Sequence, residues 1–266
     1  LHPDYRGFAP RARLRLYFIS GYPHIQNAQQ NYTNHGTIIT STSFGEGCGG
    51  LYTPTTQFID QQVFQRPELL HFFSAGNSGN ENCSALYGAF GYGNITGGRK
   101  AGKNVFAVAN LFYDDNRVYS SSRGPAEDGR IKPDISGFGQ GSLSTGPNNT
   151  LLTGSGTSAA APTVAGIAAL LVEAYREFNQ QQDPTADIIK GIMLNTADDL
   201  GRKGPDYDFG WGKVHAARAL EALQQQQYSR HNIHQGGSQN ITIPVPANTA
   251  EVKIMLYWND AQGSPV

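Results

Sequence analysis

Charge is scarce in this sequence. Of its 266 residues only 15% are Asp, Glu, Lys or Arg, and the formal balance is −1. That leaves no electrostatic footprint for nucleic acid or for an anionic membrane surface. Long apolar runs are lacking too, since none approaches the ~20 residues that a membrane span needs. No acidic run has the ligand spacing of a calcium loop, and no metal site is expected at any named residue. Nothing at the start reads as a signal peptide. The opening "LHPDYRGFAPRARLRLYFI" reads instead as a loop entering a strand, so the sequence is expected to begin inside a domain.

Cysteine is reduced to two residues, Cys48 and Cys83. They are either unrelated thiols or a disulfide, and the disulfide is the expectation. Each follows an apolar, strand-like run by a few residues. If those strands are neighbours, both loops leave the same sheet edge and the thiols can meet. A bridge implies an oxidising compartment, hence a secreted, periplasmic or cell-surface protein.

Glycine (32 residues) and proline (14) are plentiful, which points to many tight turns. Short β-rich runs at 13–19, 37–41, 69–74 and 105–109 read as strands, each followed by small or turn residues. Between and after them lie helical stretches at 55–64, 157–178, the run after Pro184, and 214–223. The first of these opens after Pro54 and stops before Arg66-Pro67, because a residue preceding proline avoids the helical region. Strands alternating with helices imply an α/β fold, a parallel sheet with helices on both faces. After the glutamines at 224–227 the pattern loses its helical period. Residues 1–227 are therefore read as one domain. Residues 228–266, with β-rich pieces at 241–245 and 252–257, read as the first strands of a second, β-sandwich domain.

The strongest chemical signal is Gly156-Thr157-Ser158-Ala159-Ala160-Ala161-Pro162. A serine hydroxyl becomes a nucleophile only when held rigidly beside a base. Ser158 sits between a glycine-rich turn and a small-residue helix, whose first N–H groups and dipole favour a developing oxyanion. Pro162, read as lying in the first turn, gives up no needed hydrogen bond. By itself this could be a capped, alanine-rich buried helix. Asn77, in Phe73-Ser74-Ala75-Gly76-Asn77-Ser78-Gly79, is an Asn at the end of a buried strand. It is either a turn residue or an amide donor aimed at an oxyanion.

Taken together, "FSAGNSG", "SSRGPAEDGRIKPDISGFG", "GSGTSAAAPTVAG" and "DFGWGKVHAARAL" resemble the landmarks of the subtilase family of serine proteases, in order and spacing. The resemblance runs from about Phe8 to Leu223 and extends to the branch with a C-terminal β-sandwich. It implies a subtilisin-like fold, with Ser158 as nucleophile and Asn77 and the Ser158 N–H as oxyanion donors. It further implies that Ser43, Phe44 and Gly45 form a substrate strand and one wall of the S1 pocket. Ala75 and Gly76 then form the other wall, with Thr157 beside the nucleophile. The implied partner is a polypeptide substrate, with no cofactor required. Calcium is common in the family but is not assignable here.

The family's catalytic Asp and His come from Asp-Thr/Ser-Gly and His-Gly-Thr-His segments placed before "GFAP". Neither is present. His35-Gly36-Thr37 is a decoy, because the β-branched Ile38-Ile39-Thr40 that follows reads as a strand where the family has a helix. Asp134 matches a structural position. The expectation is a serine endopeptidase truncated at its N-terminus, inactive alone, whose absent N-terminal segment would be its partner. The alternative is a non-catalytic peptide-binding or scaffold protein on the same fold. An α/β-hydrolase would want Gly-x-Ser-x-Gly, and the second glycine is missing.

Overall fold

The run Leu70-His71-Phe72-Phe73-Ser74 is buried at every position, as a strand covered on both faces must be. Its side chains divide by the period of two: Leu70 and Phe72 join one apolar cluster, Phe73 another. In the computed structural model, which describes residues 6–17, 23–45, 47–83 and 90–265, this run is the second strand of a four-stranded parallel sheet. The strands are β1 (Ile39–Thr42), β2 (Leu70–Ser74), β3 (Phe106–Leu111) and β4 (Ile135–Phe138), in that spatial order. Thr42 lies beside Phe73 and Ser74 beside Val108, so successive strands end at one common edge.

Helices α1 (Pro23–Gln26) and α2 (Ala28–His35) precede β1, and α3 (Pro54–Gln65) joins β1 to β2. A reciprocal cap starts α3: the Thr56 N–H donates to the Thr53 hydroxyl and the Thr53 N–H to the Thr56 hydroxyl, with Pro54 at the first helical position. The 22-residue α4 (Thr157–Phe178) lays Ala160, Ala161, Val164, Ala168, Leu171 and Val172 on the face of the sheet that carries Leu70, Phe72, Phe106 and Val108. Helices α5 (Ala186–Asn195) and α6 (Ala216–Gln224) close that cluster with Ile189, Met193, Ala219 and Leu223. On the other face Phe73 and Val105 meet Ile59 of α3 and Ile25 of α1. The helices-on-both-faces expectation is met. By length and composition α4 would also suffice to cross a membrane, but it is the buried core helix of this layer.

The structure departs from the sequence reading in several places. Of the strand expected at 13–19, residues 13–17 are irregular and exposed, and the rest lies outside the described residues. Strand β4 was not anticipated, nor was the exposed antiparallel hairpin β5 (Ser142–Thr145) and β6 (Leu151–Gly154). The pieces at 241–245 and 252–257 form no strand, since each lacks a neighbour to complete its hydrogen bonds. Residues 252–263 instead lie extended along the body. The Gly263 N–H donates to the Tyr52 hydroxyl (2.9 Å), and Asp260 pairs with Lys103 (2.6 Å). Met255 packs on the main cluster, while the alternating Ile254, Leu256 and Trp258 are exposed.

Candidate active site

The common strand edge and the start of α4 bring the sequence-predicted residues together. Ser43 follows β1 directly, Ala75, Gly76 and Asn77 follow β2, and Ser158 is the second residue of α4. The approach depends on Gly156. Its φ of +103° is left-handed, and a Cβ there would sit 3.1–3.4 Å from the Asn77 amide.

Thr157 ties β2 to α4. Its hydroxyl accepts from the Gly76 N–H (3.1 Å) and donates to Asn77 Oδ1 (3.1 Å), and its own N–H reaches the same oxygen (3.0 Å). Two donors on one atom fix the amide, since the flipped Asn77 would turn its NH2 against both. The Asn77 NH2 therefore points away from Thr157. Neither that group nor the Ser158 N–H makes another hydrogen bond among the described residues. Two donors, the Asn77 NH2 and the Ser158 N–H, are thus left open where the end of β2 meets the start of α4.

Pro162 does something other than the sequence reading assumed. It is the sixth residue of α4, where an N–H would normally donate to the carbonyl of Ser158. Proline leaves that carbonyl free, and the Ser43 hydroxyl takes it at 2.7 Å. The ring of Phe44 lies under the Arg99 guanidinium, 5.4 Å from its centroid. Gly45 and Gly76 both face the side chain of Thr96, a residue to which the sequence analysis gave no role in the site.

No histidine or carboxylate hydrogen-bonds Ser158 among the described residues. His35 ends α2 on the amino side of β1, the opposite end of that strand from Ser43. His215 caps α6 by accepting the Arg218 N–H (3.1 Å). His71 sits within β2 against Thr40. His2 lies outside the described residues. Asp134 is wholly structural: its carboxylate binds Lys132 (2.6 Å), Lys190 (3.0 Å) and the Ala107 N–H (2.7 Å). Burial alone would push that carboxyl up, but the two ammonium groups outweigh it and hold it below the usual range.

Cys48 and Cys83 are joined in the expected disulfide, with Cα atoms 5.2 Å apart. With Glu81 they are the group of ligand-type side chains gathered within 4.8 Å among the described residues. Because the two sulfurs are bonded to each other, they offer no thiolates to a metal.

These features place Ser158, Asn77 and Ser43 at one edge of a subtilisin-like sheet. The profile of the Subtilase family matches residues 6–212, and the chain belongs to that family. It is 31% identical over 172 residues to the "Extracellular serine protease" of Serratia marcescens, covering 56% of this chain and 15% of that protein. It is 42% identical over 79 residues to the "C5a peptidase" of Streptococcus pyogenes, covering 29% and 7%. Against the mouse "Membrane-bound transcription factor site-1 protease" the identity is 27% over 235 residues, covering 82% and 20%. The chain thus spans a fifth or less of the length of these relatives. Among solved structures, the prenylagaramide maturation protease PagA aligns with a TM-score of 0.63 at 22% identity, covering 82% of this chain and 76% of that one. A mutant of the protease domain of PatA aligns at 0.61 and 20% identity, covering 83% and 74%, and the two share the fold.

Proposed function

We propose that this chain is the nucleophile-bearing part of a secreted serine endopeptidase. The reading is supported by two donors left open where β2 meets α4, the Asn77 NH2 and the N–H of Ser158 itself. A peptide would add as a strand along Ser43-Phe44-Gly45, its scissile carbonyl oxygen facing those donors. Ser158 Oγ would attack the carbonyl carbon, its proton passing to a histidine base. The C–N bond would break as the amine took that proton, and water would release the acyl group from Ser158. The histidine and its orienting aspartate would come from outside these 266 residues, so the chain alone would be close to inert. The disulfide and the extracellular relative support secretion.

A fluorophosphonate probe tests this. The intact protein should be labelled at Ser158 and its Ser158→Ala variant should not, while residues 1–266 alone should react little. An intact protein that stays unlabelled, yet binds peptides, would establish the non-catalytic binding role instead.

A further inference from the structure

Lysines are buried at three places near the sheet, and two of them share Asp134. The third, Lys100, has no such partner. It stands on a short turn, Gly98–Ala101, and is 1% exposed. Of its three ammonium donors one is used, at 2.6 Å from the Thr96 hydroxyl. No carboxylate pairs with it among the described residues. A buried cation without a counter-charge is costly, and proteins otherwise pair or neutralise such groups.

Its position gives the reason for leaving it unpaired. Gly45 and Gly76 stand where the two walls of the S1 pocket are proposed. A Cβ built on Gly45 would lie 2.6 Å from Thr96 Oγ1 and 2.7 Å from Lys100 Nζ. A Cβ on Gly76 would run into the same Thr96 side chain. Both glycines therefore pack against the Thr96 side chain, with the Lys100 ammonium directly behind Gly45. Arg99, over Phe44, adds a second cation behind the same segment.

We infer that the proposed S1 site selects an acidic P1 side chain, aspartate or glutamate, with Thr96 and Lys100 as the specificity-determining residues. The substrate carboxylate supplies the counter-charge that the chain withholds from Lys100. This rests on the proteolytic reading above and adds to it the class of residue after which cleavage occurs. The electrostatics agree: burial, then the field of Arg99, lowers the Lys100 pKa to about 7. The other ionisable groups packed around this turn are Asp60 of α3, His71 of β2 and Arg130, which donates to the Ala101 carbonyl (2.6 Å). Asp60 is held by the N–H groups of Lys103 and Asn104 and by Tyr52, and His71 by Thr40. Glu46, next to Gly45, lies outside the described residues.

The test uses the intact protein and fluorogenic peptides that differ only at P1, as Glu, Gln, Leu or Lys. The expected kcat/KM for Glu exceeds that for Gln by about 10- to 100-fold, the worth of one buried charged hydrogen bond. In Lys100→Met that ratio falls to near one. A second arm needs no variant: the wild-type Glu/Gln ratio should be largest below pH 7 and decline above it, as Lys100 loses its proton. Taking a ratio cancels the titration of the catalytic base. A ratio near one in the wild type, a ratio unchanged in Lys100→Met, or one flat from pH 6 to 9 overturns the inference. Ser158 labelled by fluorophosphonate, with Leu or Lys preferred at P1, removes the acidic preference and leaves the protease standing. No labelling and no cleavage of any peptide removes both.

Discussion

The Ser43 hydroxyl donates to the backbone carbonyl of Ser158, 115 positions away in sequence, at 2.7 Å. Pro162 has no N–H to offer that carbonyl, so the Ser43 hydroxyl meets no helical competitor there. The residue proposed to line the substrate strand and the proposed nucleophile are thereby linked at a proline inside a helix.

A double-mutant cycle tests this link. Ser43→Ala should cost about 1 kcal/mol of stability in the intact protein, one lost hydrogen bond. In a Pro162→Ala background the restored N–H competes for the same acceptor, and the cost should fall close to zero. Denaturant unfolding of the four variants reads the coupling, and strict additivity would remove the account.

Asn77 and Thr157 should separate by magnitude. Losing one oxyanion donor costs about 10²–10³ in kcat, so Asn77→Ala should show that loss with KM little changed. Thr157→Val keeps the N–H to Asn77 and removes the hydroxyl. The expected loss is about fivefold, the worth of about 1 kcal/mol. Steady-state kinetics on the intact protein distinguish the two, and equal losses would contradict the orienting role given to Thr157.

Asp134 sets an acid limit on stability. Its folded pKa lies below the unfolded value, so the unfolded chain takes up the proton first as pH falls. The stabilisation is present above about pH 4 and is lost progressively below it. Asp134→Asn leaves two buried ammonium groups unpaired and should cost about 3–5 kcal/mol at neutral pH. The variant should also show a shallower stability loss between about pH 5 and 2, measured by thermal unfolding.

The disulfide closes 35 positions of chain. Its reduction should cost about 3–4 kcal/mol through the freedom returned to the unfolded state. Under denaturing, non-reducing conditions neither Cys48 nor Cys83 should alkylate. Modification of both would disprove the bridge.

Much of this was legible in the sequence. The 157–178 helix begins and ends where its glycine turn and polar tail place it, and the β2 strand reads from a short apolar run interrupted only by His71. The disulfide followed from two thiols that each trail such a strand. Other parts left no readable trace. Strand β4, Ile-Ser-Gly-Phe, carries two small residues and looks like a turn until Gly137 is seen packing on Val164. The tail at 252–257 has strand chemistry but no neighbouring strand, and pairing is not a local property. Thr96 and Lys100 lie in "ITGGRKAG", where only three-dimensional adjacency to Gly45 and Gly76 gives them meaning.

The common strand edge has one more consequence. Ser43, Asn77 and Ser158 meet only when β1, β2 and α4 have docked, so no partly folded chain holds even a weak version of the site. The proposed site is then a property of the finished sheet and of no single segment of it.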